Sequence, residues 1–168
     1  MAEALSPALP DNIEQAAHAL LAELCERGLM IATAESCTGG LLASLLTDVP
    51  GCSHAFDRGF VTYTKDAKHD LLGVESRLLD DPGPVSELVA RAMAEGALQR
   101  SKAQLAVSVT GFAEGSPEEA GLVHFGCAST YGATAHREER FGDIGRAKVR
   151  LACLRVALEM LGAQMRSG

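Results

Sequence analysis

Two short, largely apolar runs, Leu29–Ala34 and Leu105–Thr110, constrain the fold of this chain more than any other feature. Such runs read as buried strands, the state of strands in sheets covered by helices on both faces. Around them the apolar spacing turns helical. Asp11 begins a capping box with Glu14, and Ile13, Ala17, Leu20, Leu21 and Leu24 recur at helical intervals until Gly28. Gly39 through Asp48 reads as a second helix carrying Leu41, Leu42, Leu45 and Leu46. A strand-like stretch, Phe56–Thr64, and a short helix, Asp66–Leu72, closed by Gly73, come next. Past a loop holding Pro82, Gly83 and Pro84, a helix over about Val85–Arg100 turns Leu88, Val89, Ala92 and Met93 to the core. A polar link, Glu114–Ala120, separates the Leu105–Thr110 strand from Leu122–Ser129, where Leu122, His124 and Gly126 alternate with Val123, Phe125 and Cys127. Tyr131-Gly132 then turns the chain into Thr134–Phe141. The last helix starts near Asp143, with Val149, Ala152, Cys153, Val156 and Met160 along one face. Helices and strands interleave early and a hairpin closes the sheet late, which predicts an α/β sandwich with a mixed sheet of about five strands.

At roughly 150 residues per domain, the 168 residues make one domain. Residues 1–10 read as a flexible leader ending at Pro10, and 11–168 as the single folded unit. Fifteen basic against 22 acidic side chains leave a net charge of −7, and aromatic residues are 4% of the chain with no Trp. That balance argues against nucleic acid as the principal partner and against a base-stacking platform. Five cysteines without a CxxC pair fit neither a disulfide framework nor a zinc site. With no signal peptide and no long apolar run, the expectation is a cytoplasmic protein that engages no membrane. The five histidines show no metal-type i, i+4 pairing, so no metal is expected.

The segment TAESCTGG, Thr33 to Gly40, carries the most chemistry. It lies where a buried strand hands over to a helix, and helix N-termini favour anions. Gly39 and Gly40 allow a ligand close to the backbone. Ser36 or Cys37 would then stand beside oxyanion donors, as an acyl-transfer nucleophile requires. Ser36 or Thr38 acting as a plain helix cap fits the same spacing. The second segment, Tyr63-Thr64-Lys65-Asp66-Ala67-Lys68, offers two lysines, either of which is a base if desolvated. Both could equally be solvated surface charges.

These segments occur in order with GFVTYTKDAKHDLLGV (59–74), VSE (85–87), MAEGAL (93–98), AVSVTGFA (106–113) and GLVHFG (121–126). Together they resemble the CinA C-terminal domain family, whose best-known activity is nicotinamide-nucleotide amidohydrolase, over about Ile13 to Leu161. The resemblance is to a stand-alone member, without the companion N-terminal domain of longer ones. It implies a three-layer α/β/α fold and hydrolysis of the carboxamide of nicotinamide mononucleotide to nicotinate mononucleotide and ammonia, with no cofactor and no metal. A pyridine nucleotide is the implied small-molecule partner, and a homo-oligomer is compatible. Ser36 corresponds to the family nucleophile and Lys68 to its base, with Tyr63 beside them and Thr110 at an active-site position. Backbone N–H groups around Cys37, Thr38, Gly39 and Gly40 would hold the oxyanion, and Gly111 would border the substrate.

Two departures bear on substrate. Where the family usually carries a glycine-rich loop, this chain reads GFAEGSPEEAG, with Glu114 in place of a glycine. An added carboxylate would repel a phosphate. The family's C-terminal GDR appears as GDIGRAKVR, in which Arg146 and Arg150, four residues apart on a helix, are candidates to clamp the phosphate. The alternative to the amidohydrolase is a catalytically silent nucleotide-binding relative, or an amidase on another carboxamide.

Overall fold

The computed structural model describes residues 9–168. The proposed leader therefore lies, for residues 1–8, outside the described residues. In chain order the elements are α1 (Asp11–Arg27), β1 (Ile31–Glu35), α2 (Leu41–Thr47), β2 (Phe56–Val61), α3 (Lys65–Leu72), α4 (Ser76–Asp80), α5 (Glu87–Gln99), β3 (Leu105–Gly111), β4 (Leu122–Ser129), β5 (Gly132–Arg140) and α6 (Arg146–Arg166).

The five strands form one sheet in the order β2-β1-β3-β4-β5. β1 runs parallel to β2 and β3, whereas β3–β4 and β4–β5 are antiparallel. The mixed α/β sheet is as the sequence pattern predicts. Helices cover both faces, giving three layers. Large side chains fill one face: Ile31, Leu105, Val107, Val109, Val123 and Phe125 pack with residues of α1, α2 and α6. Small ones line the other, where Ala32, Ala34 and Ala106 meet Val89, Met93 and Ala97 of α5. The smallness lets α5 sit close. Ser108 Oγ donates to the Ala90 carbonyl at 2.6 Å, and a Cβ on Gly126 would come within 2.4 Å of that oxygen.

Several local expectations are corrected. Asp11 is the first helical residue rather than the cap, and no capping box forms; the Pro10 carbonyl accepts from Ile13 N–H and Glu14 N–H instead. The second helix begins at Leu41, because Gly40 enters with φ 96°. The strand over 56–64 stops at Val61, freeing 62–64 for the site. Helix α4 was hidden by its length of five residues. Helix α5 starts at Glu87, after Ser86 whose side chain accepts from Val89 N–H, and α6 starts at Arg146. Leu88 is 51% exposed, and Ala90, Ala94 and Ala97 take the core-facing positions expected of Leu88 and Ala92. His124 and His136, distant in sequence, stack across β4 and β5 with centroids 5.3 Å apart. Among the described residues no helix is long and apolar enough to cross a membrane.

Candidate active site

Three loops meet beyond the carboxyl ends of the three parallel strands. β1 stands between β2 and β3, and such a crevice is where open α/β sheets take their ligands. Alternation along β1 then assigns the side chains. Glu35, fully buried, turns to the α2 face, where its carboxylate accepts from Leu42 N–H at 2.8 Å and Ala43 N–H at 3.0 Å. Ser36 follows and turns the other way. Its N–H donates to the Val109 carbonyl at 2.9 Å, and its Oγ lies 2.9 Å from Lys68 Nζ.

Lys68 is delivered by α3, whose first turn is capped by Thr64 Oγ1 accepting from Ala67 N–H at 3.0 Å. It shares the inward face with Leu72, one turn on, while Lys65 stays outside and pairs with Asp80 at 3.2 Å. The structure thus separates two lysines that are equivalent by spacing. Lys68 is 1% exposed and Ser36 7% exposed. Nζ also donates to the Thr62 carbonyl at 2.7 Å and the Tyr63 carbonyl at 3.5 Å. Among the described residues no carboxylate answers its charge. Burial pushes its pKa down to about 8, partly opposed by the nearby Cys37 sulfur. An amine so poised exchanges protons near neutrality.

Glu35 is the member of the site that sequence motifs alone do not single out. Its signal was its place in a run buried on both faces, which puts a carboxylate inside and demands donors for it. Glu35→Ala strands two N–H groups of α2 and releases the turn that carries Ser36. The expected loss is roughly 2–3 kcal/mol of stability, read by urea unfolding, together with slower turnover. Glu35→Gln, which keeps one acceptor, is expected to fall between.

Of the anticipated residues, Ser36, Cys37, Tyr63, Lys68, Thr110, Gly111 and Arg146 line a cavity of about 240 Å³, joined by Pro84, Val85, Phe112 and Glu114. A larger groove of about 510 Å³ between α1 and α6 holds none of these groups. Thr38, Gly39, Gly40 and Arg150 do not line the cavity. Thr38 is fully buried and its carbonyl accepts from Arg150 Nη2 at 2.7 Å, while a Cβ on Gly39 would come within 3.1 Å of the same nitrogen. Arg150 therefore braces the turn from behind, and no two-arginine clamp forms; Arg146 alone reaches the mouth, 3.0 Å from a Glu114 carboxylate oxygen. Thr110 spends its hydroxyl on the Pro84 carbonyl at 2.7 Å, which fixes the cavity wall. Gly111 is required by packing, since a Cβ there would meet Val123 at 2.6 Å.

Of the expected oxyanion donors, Gly39 N–H alone has a backbone acceptor among the described residues, and the N–H groups that follow it on α2 are occupied. Leu42 and Ala43 serve Glu35, Leu41 N–H donates to the Thr38 carbonyl, and Gly39 N–H to that of Ser36. Neither Ser36 nor Thr38 caps the helix, whose N-cap is Gly40. The N–H groups of Cys37 and Thr38 meet no oxygen acceptor among the described residues. Cys37 itself is held below the usual thiol range by a hydrogen bond from Cys153, against the opposing effect of burial, with help from its own N–H and the charges of Lys68 and Arg150.

Comparison with known proteins places this arrangement. Residues 13–165 match the CinA C-terminal domain. The chain is 47% identical over 135 residues to the nicotinamide-nucleotide amidohydrolase PncC of Enterobacter agglomerans, covering 77% of this chain and 81% of that one. It is 49% identical over 138 residues to a CinA-like protein of Chlorobaculum tepidum, covering 77% of this chain but 33% of that one. The chain spans 28% and 43% of two further curated relatives, from Symbiobacterium thermophilum and Caldicellulosiruptor saccharolyticus. The crystal structure of the competence/damage inducible protein CihA from Agrobacterium tumefaciens superposes with a TM-score of 0.91 at 50% identity, covering 94% of this chain and 98% of that one. A match running from the first helix to the last, in sequence and in backbone alike, means that the chain belongs to the CinA C-terminal domain family.

Proposed function

We propose that the protein is an amidohydrolase that converts nicotinamide mononucleotide to nicotinate mononucleotide and ammonia through a Ser36 acyl-enzyme. The observation that carries this reading is the buried 2.9 Å contact between Ser36 Oγ and Lys68 Nζ at the closed end of a cavity. A serine hydroxyl is a weak nucleophile until a base takes its proton, and a desolvated lysine is such a base. The name of the Enterobacter relative supplies the substrate.

In this reading neutral Lys68 accepts the Ser36 proton as Oγ bonds to the carboxamide carbon. The N–H group of Cys37, the residue after the nucleophile and part of the cavity lining, receives the oxyanion. Collapse breaks the carbon–nitrogen bond, and Lys68 returns its proton so that ammonia leaves. Water then adds to the ester with Lys68 again as base, freeing nicotinate mononucleotide and restoring Ser36. Tyr63, 67% exposed, and Phe112 flank the path as flat apolar walls suited to a pyridine ring. Purified protein incubated with nicotinamide mononucleotide is expected to release ammonia and nicotinate mononucleotide in equal amounts. A folded protein that releases neither overturns the proposal.

A further inference from the structure

The cavity's charged lining is small, and two of its members have no task in the reaction just described. Lys68 sits at the closed end, committed to Ser36 Oγ and the Thr62 carbonyl. At the mouth stand Arg146 and Glu114, bonded to each other at 3.0 Å. Arg150 faces away, onto the Thr38 carbonyl. A substrate whose amide reaches Ser36 would leave its far end at the mouth, where Arg146 is the lining cation within reach. If that far end is anionic, it must take Arg146 from Glu114. The Glu114 and Arg146 side chains are 57% and 47% exposed, so the pair is weak and breaks readily.

We infer that Glu114 is a specificity-determining residue: it competes with the substrate's anionic group for Arg146 and so lowers the preference of this site for phosphate-bearing over phosphate-free carboxamides. The inference rests on the amidohydrolase reading and concerns which substrates it favours. With the phosphate absent, the Glu114–Arg146 bond stays intact and costs the ligand nothing. With the phosphate present, binding breaks that bond and brings a second negative charge beside the carboxylate. Both effects act at the mouth and are screened by salt.

The test compares nicotinamide mononucleotide with nicotinamide riboside, which differ by the phosphate alone. The readout is the ratio of their kcat/KM values in wild type, Glu114→Gln, Arg146→Gln and the double variant. Glu118→Gln, in the same loop but outside the cavity lining, controls for the overall loss of one negative charge. Glu114→Gln is expected to raise the ratio about three- to tenfold at low ionic strength, and Glu118→Gln to leave it within about twofold. On the Arg146→Gln background the gain should shrink below about twofold, because the competition for Arg146 is gone and only the screened repulsion between two exposed anions is left. An unchanged ratio in Glu114→Gln overturns the inference. So does a gain of equal size without Arg146, which would be plain repulsion. Calorimetric affinities of both ligands for the same proteins on a Ser36→Ala background give the ratio without turnover. A ratio that moves there in a protein whose wild type hydrolyses neither ligand rejects the reaction and retains the role of Glu114. Absence of binding by either ligand rejects both.

Discussion

Ser36→Ala is expected to cost at least about 10³-fold in turnover while leaving the protein as stable as wild type within about 1 kcal/mol. The asymmetry follows from what the hydroxyl does. Among the described residues its only side-chain partner is Lys68 Nζ, which keeps the Thr62 and Tyr63 carbonyls when the hydroxyl is gone. The Ser36 N–H bond to Val109, which holds the turn in place, belongs to the backbone and survives. Ammonia release and a thermal melt on the same preparation check both halves. Turnover that persists at the wild-type rate would transfer the nucleophile's role elsewhere. Cys37 would be the next group to test, since the residue borders the same cavity and its thiol is held below its usual range.

Lys68→Met should abolish turnover almost as fully, by about 10²–10⁴-fold, the range that positioned acid–base groups contribute. Methionine approximates the length of the buried stem and removes the proton acceptor. The wild-type rate is expected to rise with pH and level off above about 8, where Lys68 becomes neutral, because only the unprotonated amine can take the serine proton. Stability should follow the same group. In the unfolded chain a lysine holds its proton up to about pH 10.4, whereas in the folded protein Lys68 releases it near 8. Between those values the unfolded state binds more protons, so the folded state gains stability as pH rises, by up to about 1.4 kcal/mol per unit. Below about 8 that gain is absent. Urea unfolding at pH 7 and pH 9.5 should show the increase in wild type, and Lys68→Met should lack this contribution. Equal pH dependence in the two proteins would mean that Lys68 is not desolvated.

The layered α/β architecture and the mixed sheet were legible in the chain because burial imposes period. Short, largely apolar runs mark β1 and β3, and alternation marks β4, where Val123, Phe125 and Cys127 do enter one core face. Ser36 and Lys68 were legible as chemistry through motif resemblance, in which short local spacings carry enough information to be specific. Cap geometry was not legible. Asp11 and Glu14 satisfy a capping pattern, yet the Pro10 carbonyl does that work, because the pattern encodes residue types and not the dihedrals of the entering chain. Leu88 fits helical spacing in α5, but the sheet face it would meet is built of alanine, serine and glycine and takes Ala90, Ala94 and Ala97 instead.

By itself, then, the sequence determined which segments are buried, which are strands or helices, and which short stretches bear the candidate nucleophile and base. Only the tertiary structure decided that Lys68 is buried against Ser36 while Lys65 stays outside, that Glu35 and not the helix start secures the turn, that Arg150 supports the backbone while Arg146 faces the mouth, and that Glu114 is its partner there. Each of these depends on residues brought together across the sheet from distant positions. Local periodicity reports how a segment meets its own solvent boundary, whereas a contact such as Lys68 with Ser36 depends on how β1, β2 and α3 are stacked, which no single segment encodes.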